Sequence, residues 1–300
     1  MTPAAPRSID AYLKQLRAAL ADQDPALIQD AAYDAEEYLR AEIAAHPDKS
    51  EADVLELIAS TYGAPEEVAA AYRETEAKVN AAMQTPVRAA AAEPGALQRF
   101  FSVYSDPRAY TSLFFMLLTL ATGVVYFTIA VAGISLSLSL AVLIVGIPFF
   151  LAFIGIVRVI SLGEGRLIEA MTGERMPRRP VHPGPKLGLW ASIAAMLGDS
   201  RTWTTLAYFI LMLPLGIIYF VIAVVGLALG LGLLVAIPVS VLHGFDVLDA
   251  SVEPAWLATA PALLVVGGLG LIVLTTLMHS ARGIGHLHAQ LAKRFLVTQD

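Results

Sequence analysis

The sequence predicts an all-α protein, in which a small cytoplasmic helical bundle precedes a four-helix polytopic membrane domain made of two parallel hairpin repeats. Three observations carry that prediction. The 300 residues are 57% hydrophobic and only 15% charged, with a mean hydropathy of +0.65, whereas about a quarter of an ordinary soluble domain is charged. No charged residue lies between Arg108 and Arg158, a run of 49 positions that would reach roughly 70 Å as a helix, enough for two bilayer crossings. GVVYFTIAVAGISLSLSL, residues 123–140, returns as GIIYFVIAVVGLALGLGL, residues 216–233, with ten of eighteen positions identical at an offset of 93.

Charge divides the chain. Residues 1–87 carry sixteen Asp/Glu against seven Lys/Arg, and the remainder ten against thirteen, so an acidic head of net −9 precedes a slightly basic body of +3. The start, MTPAAPRSIDAYLKQL, has no basic stretch leading into an apolar core and a small-residue cleavage site, so no secretory signal is expected and the head stays in the cytoplasm. With no cysteine, disulfides, thiolate metal sites and thiol nucleophiles are excluded.

The head, residues 1–83, reads as four short helices. Ser8 caps a helix with Leu13, Leu16 and Leu20 at helical spacing; Asp24-Pro25 opens a second helix through Ala45, and HPDKS breaks it. Ser50 and Asp53 resemble a capping box before Val54, Leu57 and Ile58. Gly63 stands where a left-handed C-terminal residue is wanted, and Ala64-Pro65-Glu66-Glu67 restarts a helix with acids in its first turn. Residues 84–104 form an Ala-rich linker and then LQRFFSVYS, which suits either the headgroup level or an ordinary packed helix.

Membrane repeat 1 covers 105–180, two crossings followed by a cytoplasmic amphipathic segment, and repeat 2 covers 181–300, which ends in a cytoplasmic C-terminal helix. Crossings are expected near 110–132, 137–159, 205–226 and 261–280. Between 158 and 204 lie seven Lys/Arg, which puts that loop inside by the positive-inside rule. Residues 227–242 are short and broken by Gly230, Gly232 and Pro238; charge bias favours a re-entrant half-helix there, then an extracytoplasmic loop with Asp246, Asp249, Glu253 and Trp256. Asp106-Pro107-Arg108 aligns with Asp199-Ser200-Arg201, and Gly163-Glu164-Gly165 with Gly283-Ile284-Gly285. Each unit then starts and ends inside, and the two are parallel repeats about a twofold axis along the membrane normal.

Few residues carry chemistry. The four predicted spans hold no Asp, Glu, Lys or Arg, which proton-coupled transport usually requires. His286 and His288 read as solvent-facing tail residues without metal-ligand spacing, no nucleophile, phosphate or zinc motif occurs, and no metal, cofactor or catalytic residue is expected. Gly123, Gly133, Gly216 and Gly226 suit close helix packing or, alternatively, a ligand cavity. Tyr126, Phe127, Tyr219 and Phe220 could line an apolar pocket with the tyrosine hydroxyls as polar handles, or make ordinary helix contacts. Asp106 and Asp199 cap the first and third crossings, Arg108 and Arg201 sit at the headgroups, and Tyr110 and Trp203 are aromatic-belt anchors. The acidic head disfavours direct nucleic-acid binding and suits a basic protein partner, with Asp34, Glu36, Glu37 and Glu42 as the contact face. Membrane lipid is the other expected partner, together with self-association into a homo-oligomer.

Two resemblances follow from these segments. Residues 8–75, through IDAYLKQLRAAL, DAAYDAEEYLRAEI and LIASTYGAPEEVAAAY, resemble the HAAS signalling domain of bacterial membrane proteins. Residues 98–296, through GEGRLIEAMTGERMPRRP, DSRTWTTLAYFILMLPLGIIYF and RGIGHLHAQLAKRFL, resemble the four-pass sensor domain found ahead of actinobacterial histidine kinases. The resemblance implies signal reception in the bacterial inner membrane and, for the head, partnership with a PadR-like transcription regulator. No kinase module follows within this sequence, so the expected function is a non-enzymatic sensor or regulator of an apolar or membrane-borne cue, with both termini cytoplasmic. A small transporter or permease subunit and a membrane scaffold are the alternatives.

Overall fold

The computed structural model describes residues 5–83, 95–141, 143, 146–177, 189–244 and 259–297. Most of the expected linker, the proline-rich stretch after Pro177 and the acidic loop with Asp246, Asp249, Glu253 and Trp256 lie outside them. Every element is helical, and no strand occurs among the described residues.

The head is built as its caps dictate. In α1 (Ile9–Ala19) the Ser8 hydroxyl accepts from Ala11 N–H, and in α2 (Pro25–Ala45) Asp24 accepts from Ala26 N–H at 2.9 Å. Ser50 and Asp53 form a reciprocal capping box on α3 (Glu51–Ala59). Gly63 turns the chain at φ +101°, a conformation that costs glycine little, and α4 (Pro65–Met83) follows. The apolar stripes of all four close on Leu16, Leu20, Ala35, Leu39, Val54, Ile58 and Ala69.

After α5 (Ala96–Phe101) and a 3₁₀ turn (Ser102–Ser105) come α6 (Pro107–Leu140), α7 (Gly146–Thr172), α8 (Leu189–Gly198), α9 (Ser200–Gly244) and α10 (Ala260–Leu296). The helices α6, α7, α9 and α10 are each long and apolar enough to cross a membrane. Two expectations are corrected. Residues 227–242 are no separate half-helix: α9 runs unbroken for 45 residues through Pro214 and Pro238. Its glycines make notches rather than breaks, since a Cβ on Gly230 would collide with Leu274 of α10, and in an apolar setting an opened helix would strand backbone groups.

The second correction concerns direction. Gly123 of α6 lies against Met212 of α9, Gly216 of α9 against Thr119 of α6, Tyr126 stacks on Phe209, and Met116 packs beside Tyr219 and Ala223. As numbers rise along α6 they fall along α9, so the two helices are antiparallel. α6 and α10 run parallel instead, from Tyr104–Thr275 through Ser112–Gly285 to Phe115–His288. The axis relating the hairpins therefore lies across the helices, not along them. Loop charge constrains which ends are basic but not which helix lies against which; the antiparallel crossing seats both glycine notches, where an added Cβ would come within 2.5 Å of facing backbone oxygen, in one close approach.

Contacts recur in pairs at the 93-residue offset. Tyr110 donates to the Tyr104 carbonyl at 3.0 Å, as Trp203 does to that of Leu197 at 2.8 Å. Asp106 and Asp199 each cap a helix with one carboxylate oxygen, accepting from Arg108 N–H at 2.9 Å and Arg201 N–H at 3.0 Å. With the other oxygen each pairs across to the opposite hairpin, Asp106 with Arg282 at 3.2 Å and Asp199 with Arg158 at 3.1 Å. Gly133 meets Phe153 as Gly226 meets Leu277. On the returning helices α7 and α10 the matched partners stand 124 positions apart, one helical turn beyond the 120 that the Gly-x-Gly match suggests. A one-turn shift keeps the same helix side inward.

Candidate functional site

The returning helix α7 continues 13 residues past the predicted end of the second crossing, which makes Glu164 a helical residue rather than a loop one. It stops at Gly173, φ +76°, whose N–H donates to the Glu169 carbonyl at 2.9 Å. Glu164 is consequently buried, with 1% of its surface exposed. The Tyr126 hydroxyl of α6 donates to one of its oxygens at 2.7 Å, and the Tyr208 hydroxyl of α9 lies 3.0 Å from the other. Tyr208 is also 3.0 Å from Nε2 of His288 on α10. Each of the four long helices thus contributes one polar side chain to a single core cluster.

Aromatic rings wall it in. Tyr126 stacks on Phe209 with ring centres 4.8 Å apart, and Phe115 and Tyr219 present edges to His288 at 4.9 and 5.7 Å. Tyr208 and His288 are fully buried, and Nδ1 of His288 has no hydrogen-bond partner. A buried carboxylate held by two hydroxyls, next to a buried imidazole, is an arrangement that binds or passes a proton.

Of the predicted pocket residues, Tyr126 joins the cluster and Tyr219 borders it; Phe127 and Phe220 are half-buried on the same helices but outside it. The expectation of a solvent-facing His288 is corrected, since its side chain is fully buried; Glu164, likewise buried, lies five residues beyond the second expected crossing. His286 is exposed, 2.7 Å from Glu174. The four named glycines all lie at helix contacts. Arg108 and Tyr110 are exposed at the start of α6; Arg201 is half-buried and Trp203 exposed at the start of α9.

The acidic head is not free in solution. Arg175, just beyond α7, pairs with Glu76 of α4 and, at 3.3 Å, with Asp30 of α2, whose side chain is 8% exposed. Lys293 of α10 pairs with Asp24 at 2.7 Å and approaches Glu174 at 3.7 Å. The four proposed partner-face acids are spread over different surroundings: Glu37 is exposed, Glu36 pairs with Arg40, Glu42 lies near His46, and Asp34 accepts from the Tyr72 hydroxyl at 3.0 Å. Asp34 is half-buried rather than on an open face, and burial, with Asp34 close by, pushes the Tyr62 phenol up to about 12 and the Tyr72 phenol higher still.

Comparison with protein families matches residues 115–296 to a family model described as "Putative sensor", which takes in all four residues of the buried cluster and leaves the head outside. Neither the curated proteins nor the solved structures gave a match.

Proposed function

This chain belongs to that sensor family over more than half its length, and on this premise we propose that it is a membrane sensor whose receiver is the cluster around Glu164 and whose output is the docked acidic head. One observation carries the reading: α7 and α10, which bring Glu164 and His288 into the core, are the helices that present Arg175 and Lys293 to the head. A cue that favours one packing of the four helices over another would move those two cations. The cue is apolar or membrane-borne, since large apolar side chains such as Val125, Ile218 and Val221 line the exposed outer surface of α6 and α9.

The head, by its HAAS-like sequence and net −9 charge, passes the signal to a basic protein partner such as a PadR-like regulator. The protein sits in the bacterial cytoplasmic membrane with the acidic head on the cytoplasmic side; the Lys293–Asp24 pair, which joins α10 to the head, supports keeping that end of α10 beside it. The paired contacts at the 93-residue offset support an origin in a duplicated hairpin. Affinity capture with the full chain and with a version lacking residues 1–87 tests the output: a transcription regulator retained only with the head supports it, and equal capture by both removes the head from signalling.

A second reading, proton-coupled transport, is favoured by the antiparallel hairpins together with the ionisable pair at their interface, a combination common in transporters. Substrate flux into proteoliposomes that stops with Glu164→Gln would replace the sensor reading.

A further inference from the structure

We infer that Glu164, Tyr208 and His288 bind one exchangeable proton as a unit, so that the buried site takes a hydron as its ligand. The inference rests on the proposed reading only in treating this cluster as the receiver. Its own basis is a count of hydrogens. Tyr208 has one hydroxyl hydrogen and stands 3.0 Å from both Glu164 Oε1 and His288 Nε2. One hydrogen cannot serve two bonds, so the other comes from a carboxylic acid at Glu164 or from Nε2–H at His288.

Consider first the ionised Glu164 beside a neutral His288. Both phenols then donate to the carboxylate, Nε2–H donates to the Tyr208 oxygen, and Nδ1 keeps a bare lone pair, which agrees with its lack of a partner. This state leaves one negative charge buried among neutral groups. The cations of α7 and α10 that form ion pairs, Arg158, Arg282 and Lys293, take other carboxylates. A buried charge without a counter-ion is costly, and one added proton removes it.

That proton has two seats in balance. With Glu164 protonated, its O–H donates to Tyr208, Tyr208 donates to Nε2, and the neutral imidazole carries its hydrogen on Nδ1. Moving the Glu164 hydrogen to the Tyr208 oxygen, and the Tyr208 hydrogen to Nε2, yields carboxylate and imidazolium with no change in proton count. Among the described residues the titratable groups facing this chain are Tyr126 from α6 and Tyr219 from α9, and the surrounding wall is apolar, with Phe115, Phe209 and Phe295 against the rings. A helix shift that lengthens either 3.0 Å bond changes proton affinity, which links proton and cue.

The test uses the full chain in phosphatidylcholine nanodiscs. Infrared difference spectra across a pH titration, with Glu164→Gln to assign the carboxylic-acid band, report Glu164; nitrogen NMR of labelled histidine reports His288. Expected is one shared midpoint for both, split by about one pH unit or more in Tyr208→Phe, which retains the ring and removes the relay. Independent midpoints in the natural chain, or a Tyr208→Phe variant that leaves both unchanged, would overturn it. Should Glu164→Gln not fold, His288→Gln supplies the second arm: it must move the Glu164 band, and an unmoved band also overturns the proposal. Failure of the receiver reading is seen separately. Because the chain has no cysteine, labels at Glu37→Cys and Arg294→Cys measure head release, and a titrating cluster with an immobile head refutes that reading while leaving the proton site intact.

Discussion

Hairpin α6–α7 and hairpin α9–α10 make the same contacts with different chemistry. Tyr126 and Tyr208 stand round Glu164 as Tyr219 and Phe115 stand round His288. The positions correspond at the same offsets that relate the glycine notches and the crosswise ion pairs. One hairpin thus supplies an acid where the other supplies a base, and one supplies a phenol where the other has a bare phenyl ring. The framework is shared, while the polar cluster comes from the places where the halves disagree. On the proposed duplication, a scaffold of two like hairpins gains a site between them without altering the helix packing that holds it.

The largest way to break this likeness is steric. Gly123→Leu or Gly216→Leu drives a side chain into facing backbone, and each should cost more than about 3 kcal/mol and abolish a monodisperse peak in detergent. Gly163→Ala, with open space around it, should stay within about 0.5 kcal/mol. Next comes the polar cluster: Glu164→Ala strands two buried hydroxyls and should destabilise by about 2–4 kcal/mol in thermal unfolding, Glu164→Gln by about half that. Exchanging the pair, Glu164→His with His288→Glu, sharpens the comparison, since equivalence of the two places requires the double variant to be more stable than either single one. Arg175→Ala leaves Asp30 and Glu76 without their guanidinium and should release the head, at about 1–3 kcal/mol, read as a lengthened label distance that high salt also produces in the natural chain. The smallest effect is capping: Asp106→Ala and Asp199→Ala should each cost about 1 kcal/mol, and by similar amounts if the halves are alike.

Much of this fold is written locally and can be read. Ser8, Asp24 and Ser50 cap where their side chains say, Gly63 takes the left-handed turn, and the long uncharged runs become the four long helices. What escaped is what depends on neighbours. Glu164 sits between two glycines and just before Arg166, a composition that reads as a loop, yet helix continues to Gly173 and only the packed bundle buries it. A signal did exist: the aligned segments carry Glu in one copy and Ile in the other, and an unmatched polar residue between matched glycines marks a site. The opposed direction of α6 and α9 left no such trace, because their facing positions are small or apolar in either orientation. The half-helix failed for a related reason, as Gly230 weakens a helix in isolation but fits Leu274 in company.

The crosswise ion pairs carry one more consequence. The residue capping each hairpin's first helix is tethered to the other's returning helix, Asp106 to Arg282 of α10 and Asp199 to Arg158 of α7. Sliding either hairpin past the other lengthens both pairs, so the two halves are coupled about the crossing point. Such a body behaves like a pair of scissors with linked handles: two part-exposed ion pairs, each worth up to about 1 kcal/mol, bias the halves toward moving together.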